Sequence, residues 1–302
     1  MTPRRGTAVV SALVCAALAT AGCGLGPGAD VGAVRLTVTR EYGAVPVLHA
    51  SVEAKESDTV MRVLEGEAEI ETRYGGGFVH SIEGVAEGQR GGDPYDWFFY
   101  VDGVEWPVGA AETDLEGGES IWWDYRDWGA VNHVPAVVGS WPAPFSDGVA
   151  GLPSQVEVKC EEGGAACGEV RAALKREGAK IVDTPTEDTV PILVGPWKWV
   201  GRDPIAHLIE AGPAESGVFA DFEGDRLTVM DAGGEVAGQL GPDAGLVAAT
   251  SRYGGLPVWV VTGGTAAAVR VAAESLDADH LRDHYAVAIE GGKTVPLPLE
   301  ER

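Results

Sequence analysis

The sequence predicts an α+β protein of two domains, and three observations predict it. Residues 34–133 alternate apolar and polar side chains in short runs, with one amphipathic helix and an Asp102-Gly103 turn among them. Residues 134–152 gather Pro135, Pro142 and Pro144 with Gly139, Gly148 and Gly151, a composition that reads as a linker or extended strap. Residues 153–302 alternate strand-like and helix-like runs, the pattern of an α/β layered domain.

The first domain opens with Val34, Leu36 and Val38 alternating against Arg35, Thr37 and Thr39, a half-buried strand, and residues 45–52 are a second candidate. Ser57 or Asp58 can cap a helix whose Val60, Met61, Val63 and Leu64 share a face, with Gly66 as its stop. Residues 68–74 alternate again. Residues 97–101 run into Asp102-Gly103, a type I′ hairpin signal. Residues 104–106 return, and residues 119–125 form the last strand. One helix on a mostly antiparallel sheet makes a β-grasp-like unit. Trp141 and Phe145 within residues 134–152 imply that this segment packs against something. Beyond it, strands are expected at 156–158, 191–194, 226–230, 257–261 and 285–289. Helices are expected at 167–177 and 265–276, with a further helix opened by Asp203-Pro204.

Residues 1–22 read as a targeting segment. Arg4 and Arg5 precede a small apolar run, residues 6–19, shorter than the roughly 20 residues a bilayer core requires. Thr20-Ala21-Gly22-Cys23 resembles the lipobox of bacterial lipoproteins, with Thr20 where Leu is usual. A lipid on Cys23 would place the protein on the extracytoplasmic face of the cell membrane, with residues 23–33 as a tether. The alternative is a secretory signal cleaved elsewhere. Cys160 and Cys167 remain as an even pair bracketing a short loop. A disulfide fits them better than a metal pair, since no second pair of nitrogen or sulfur ligands lies near in sequence. The formal charge of −24 disfavours nucleic acid and anionic lipid as partners without specifying one.

Four groups of residues, in order, carry a resemblance. Ser57, Asp58, Thr59 and Val60 open a helix continued by Val63 and Leu64. Tyr74, Gly76, Gly77, Phe78 and Val79 lead to Ser81, Ile82 and Gly84. Trp97, Phe98, Phe99, Tyr100, Val101, Asp102 and Gly103 form an aromatic hairpin. Gly109, Leu115, Gly118, Glu119, Ile121, Trp123 and Tyr125 complete it. Together they resemble the C-terminal β-domain of transcobalamin and intrinsic factor, a family also found on bacterial surfaces. The resemblance covers about a quarter of the chain, and Phe99 stands where the family more often has Tyr. In that family the domain closes over a corrin ring held by a larger helical domain, which has no counterpart among these residues. The resemblance therefore implies a lid-like half, with cobalamin or another corrinoid as candidate ligand and a partner supplying any remainder.

The residues themselves divide into two sets. Trp97, Phe99 and Val101 on one strand, and Ile121, Trp123 and Tyr125 on another, read as core. Tyr100, Trp106 and Trp122 point the other way, and Phe78 and His80 flank the Gly75-Gly76-Gly77 turn. As exposed aromatics these would suit a flat, partly apolar ligand. His80 could ligate a metal, although a lone strand histidine is more often solvated.

No catalytic motif emerges, and no enzymatic activity or resident cofactor is expected. Gly291-Gly292-Lys293-Thr294 has Val287 where a phosphate-binding loop needs glycine. Gly263-Gly264-Thr265 reads as a turn and helix cap. Asp221, Glu223 and Asp225 lack the calcium-loop pattern. His280 and His284 lack an intervening zincin-type acid, so Asp279 or Asp283 is the expected partner. Two functions follow as expectations: a lipid-anchored binding protein that captures a small ligand for a membrane transporter, or an interaction module that docks another envelope protein.

Overall fold

The computed structural model describes residues 28–148, 154–252 and 254–300; Cys23 and the targeting segment lie outside them. The fold is α+β. The first half comprises β1 (Asp30–Arg40), β2 (Val45–Lys55), α1 (Val60–Glu67), β3 (Ile70–Arg73), β4 (Phe78–Ile82), β5 (Val85–Ala86), β6 (Gly88–Arg90), β7 (Asp93–Val101), β8 (Val104–Glu105) and β9 (Ser120–Asp127). The main sheet runs β2-β1-β9-β7-β6, with β8 paired to β7; β3, β4 and β5 form a second, small sheet. All pairings in the main sheet are antiparallel except β1 with β9, which is parallel.

Alternation along β1 puts Val34, Leu36 and Val38 into one core with Val60, Met61, Val63 and Leu64 of α1. Trp97, Val101, Ile121, Trp123 and Tyr125 join them, as their spacing requires. Asp102 and Gly103 both take positive φ, +51° and +79°, as a type I′ turn demands. The helix cap differs from expectation. Thr59 accepts the Arg62 N–H at 3.3 Å, while the Asp58 carboxylate turns back to the Lys55 N–H at 2.9 Å. The helix also runs through Gly66 and ends at Ala68, whose extended backbone breaks it.

Residues 134–148 of the expected linker are not free, and 149–152 lie outside the described residues. Val134 and Val137 join one core, while Ala136, Val138, Trp141 and Phe145 join another. The segment, which includes the short helix α2 (Ala143–Ser146), is a packed strap whose side chains diverge into two apolar layers. Its prolines remove backbone donors without removing the apolar surface that has to be buried.

The second half comprises β10 (Gln155–Cys160), α3 (Ala166–Arg176), β11 (Lys180–Ile181), β12 (Val190–Pro196), α4 (Trp197–Val200), a 3₁₀ turn (Ala206–Ala211) and α5 (Pro213–Ser216). It continues with β13 (Ala220–Glu223), β14 (Arg226–Met230), β15 (Val236–Gln239), β16 (Gly245–Thr250) and β17 (Val258–Gly263). It closes with α6 (Ala266–Glu274), α7 (Ala278–Leu281), β18 (Ala286–Glu290) and β19 (Lys293–Leu297). The seven-stranded sheet runs β11-β10-β12-β17-β16-β18-β19, parallel through β17 and antiparallel beyond it. Val170, Ala173 and Leu174 of α3 and Val269, Ala272 and Ala273 of α6 cover one face. Phe219, Leu227 and Val229, from the small sheet β13-β14-β15 and its approach, cover the other. Thr265 caps α6 through the Ala268 N–H, and Asp203 caps the 3₁₀ turn through the Ile205 and Ala206 N–H groups. Cys160 and Cys167 form a disulfide between the end of β10 and α3, with Cα atoms 6.0 Å apart. Among the described residues, no helix is long and apolar enough to cross a membrane.

Candidate functional site

The main sheet of the first half has one face on α1 and the other on the second half of the chain. Every residue of β9 from Ser120 to Arg126 is buried. This corrects the expectation that Tyr100 and Trp122 are exposed. They do point away from the α1 core, but they are 0% and 1% exposed because Tyr42, Phe219 and Tyr285 cover them. Trp122 donates its indole N–H to the Thr39 hydroxyl (2.7 Å), which donates to the Asp124 carboxylate (2.5 Å). From the other side Tyr100 donates to the Tyr285 hydroxyl (3.2 Å), which donates to Asp124 (3.1 Å). The Tyr42 and Gly43 N–H groups complete the shell around that carboxylate. Burial still raises the proton affinity of Asp124, with these hydrogen bonds opposing it. Beside it, the fully buried Arg126 donates to the carbonyls of Asp127, Val131 and Asn132 and lies 3.8 Å from the Phe98 ring centroid. Tyr100 and Trp122 therefore hold the two halves together and are not available to a ligand.

Phe78 and Trp106 are brought together. They line a pocket of about 230 Å³ with Met61, Trp97, Phe99, Val108 and Trp123. Phe99 and Trp123 are register partners on β7 and β9, with ring centroids 5.0 Å apart. The loop that carries Pro107 and Val108 is anchored on α1. The Val60 and Met61 N–H groups donate to the Thr113 and Ala110 carbonyls at 3.0 Å each, and the Thr113 hydroxyl donates to the Gly109 carbonyl at 3.1 Å. Helix donors that would otherwise be orphaned thus fix one wall of the pocket. Phe78 forms the opposite lip, with the 87% exposed Tyr74 edge-on to it at 6.2 Å.

Trp97 donates its indole N–H to the Val85 carbonyl at 2.8 Å, whereas the buried Trp123 indole N–H has no partner among the described residues. No titratable side chain lines the pocket. Its chemistry is that of an aromatic slot: dispersion and stacking. His80 stands apart, between Arg73 (3.0 Å) and Glu87 (3.3 Å), in a cluster that also pairs Arg73 with Glu87. No group of three or more His, Cys, Asp or Glu side chains among the described residues is arranged to hold a metal ion. His280 pairs with Asp277 rather than Asp279 (2.8 Å), and Asp283 pairs with His49 (2.8 Å).

Met61, Trp97, Phe99 and Trp123 read in the sequence as core alone; the structure makes them core and pocket wall at once. The apolar run Trp106-Pro107-Val108 immediately after a hairpin was the available signal for the rim.

Residues 57–127 match the family model described as a domain of unknown function, DUF4430. That segment contains every residue lining the aromatic pocket. No curated protein matches the chain.

Proposed function

We propose that this protein is a lipid-anchored, extracytoplasmic binding protein whose aromatic pocket receives a flat, largely apolar group of a small molecule for delivery to a membrane transporter. The observation that carries the reading is the slot between Phe78, Phe99, Trp106 and Trp123, open to solvent and free of titratable groups. The resemblance to the transcobalamin β-domain makes a corrinoid the first ligand to try. A pocket of about 230 Å³ is smaller than the ~300–1,000 Å³ of drug-sized sites, so it grips one edge or substituent of such a molecule. Anchorage at Cys23 keeps the pocket beside the membrane.

The same dimensions favour one second reading. A slot that holds a single aromatic group also fits a side chain from another envelope protein, making the domain a docking module.

The deciding experiment is a visible-absorbance and calorimetric titration of the full chain, in a neutral detergent, with cobalamin and cobinamide. Binding at micromolar concentration that Trp106→Ala weakens about tenfold supports capture of a corrinoid. An absence of heat and spectral change at millimolar ligand sinks it and leaves the docking reading, which a stoichiometric membrane partner would support.

A further inference from the structure

The aromatic pocket is not the largest opening in the molecule. A cleft of about 630 Å³ lies where β1 and β2 meet the strap and the loop after α7. Arg35, His49 and Ser51 line it from the first half, Ser140 and Trp141 from the strap, and Arg282 from the second half.

Charge sets this cleft apart from the rest of the surface. The chain has 46 acidic residues against 22 lysines and arginines, so two guanidinium groups facing one opening run against the prevailing sign. Arg282 makes no ion pair among the described residues, and Arg35 reaches Asp147 only at 3.5 Å with half its side chain exposed. The carboxylate in the wall, Asp283, is already engaged by His49 at 2.8 Å.

Ser140 and Trp141 form the strap's side of the wall, each only 5% exposed. Trp141 itself is held by Phe145 and Trp259 at 5.4 and 5.9 Å between ring centroids, which fixes its position in the wall. The guanidinium forks of Arg35 and Arg282 and the exposed Ser51 hydroxyl can donate, and an oxyanion accepts from each.

We infer that this seam cleft binds a small organic oxyanion, carboxylate or phosphate, between Arg35 and Arg282. Its volume falls in the small-molecule range. The occupant touches both halves of the chain and is distinct from anything held in the aromatic pocket.

The test is calorimetric titration of the full chain in neutral detergent at low ionic strength, with inorganic phosphate and citrate as separate probes. The expected result is saturable binding of one probe, weakened about tenfold by Arg282→Ala and abolished by Arg282→Glu. Arg226→Ala, which removes an exposed charge outside the cleft, leaves it unchanged. The probe that binds distinguishes a phosphate ligand from a carboxylate one. An absence of heat with either probe at millimolar concentration overturns the inference. Equal weakening by Arg226→Ala and Arg282→Ala overturns it too, because the binding would then follow net charge alone.

Discussion

Tyr285 donates a hydrogen bond to the carboxylate of Asp124 at 3.1 Å, across 161 positions of sequence and inside the contact between the two halves. Both residues are fully buried. The same tyrosine hydroxyl accepts from Tyr100, and its ring meets Trp122 and Tyr42 edge-on at 5.3 and 5.1 Å. One side chain from β18's approach thus completes a polar network whose other members lie on or beside β1, β7 and β9.

Tyr285→Phe keeps the ring and removes the hydroxyl. Asp124 then loses one of its donors and Tyr100 its acceptor. The expected loss is about 1–3 kcal/mol, read as a lower urea midpoint with an unchanged slope. An unchanged midpoint would mean that water replaces the hydroxyl.

Asp102 sets a pH dependence. Burial, with Glu119 and Asp147 nearby, pushes its carboxyl up to about 8, against the hydrogen bond from the Ser120 N–H at 2.8 Å and the charge of Arg35. The folded chain therefore holds a proton that the unfolded chain has released above about pH 4. Stability falls as pH rises from there to about 8 and levels off above. Asp102→Asn keeps the accepting oxygen and tolerates the left-handed φ of +51°. It removes a penalty on the order of a few kcal/mol at about pH 8.5 and none at about pH 4. Denaturant midpoints of both proteins across this range check it. A residual slope of the same sign is expected, because burial also raises Glu105, Glu119 and Asp124.

Val108 stands 41% exposed on the rim of the aromatic pocket. Val108→Glu places a carboxylate at the mouth and disturbs no core. Its melting temperature should shift by an amount equivalent to less than about 0.5 kcal/mol, while uptake of any apolar group weakens about tenfold in the same titration. Equal binding by the variant would place the site elsewhere.

The disulfide is local and its contribution correspondingly modest. Replacing Cys160 and Cys167 together by serine frees a short loop and should cost about 2–3 kcal/mol in guanidinium unfolding. A reductant should destabilise the natural protein by the same amount and leave the variant unaffected.

Much of this architecture was legible because it is written in alternation. Trp97, Phe99 and Val101 opposite Ile121, Trp123 and Tyr125 declare one buried face, and the structure buries it on α1. Alternation says which side chains share a face but not what lies beyond it. The cover on Tyr100 and Trp122 comes from Phe219 and Tyr285, far along the chain, so their burial had no local signal. The strand β16 escaped notice for a related reason. Gly245 to Thr250 is buried throughout, so no polar position marks its period. Of the ligand residues read from sequence, Phe78 and Trp106 meet in the pocket because both flank turns at one end of the α1-covered face. His80, two residues along β4 from Phe78, is drawn into a charge cluster with Arg73 and Glu87 instead.

The place of β1 in the main sheet bears on where the chain can be cut. The segment matched by the family model begins at residue 57, after β1 and β2. Yet β1 pairs directly with β9 over Arg35 to Arg40 and supplies Leu36 and Val38 to the core above it. A fragment trimmed to residues 57–127 would expose a row of unsatisfied amide and carbonyl groups along an eight-residue aromatic strand, an invitation to pair with another copy. Soluble material for structural work should therefore begin before Asp30 and retain the second half, whose Tyr285 and Phe219 seal the opposite face of that strand.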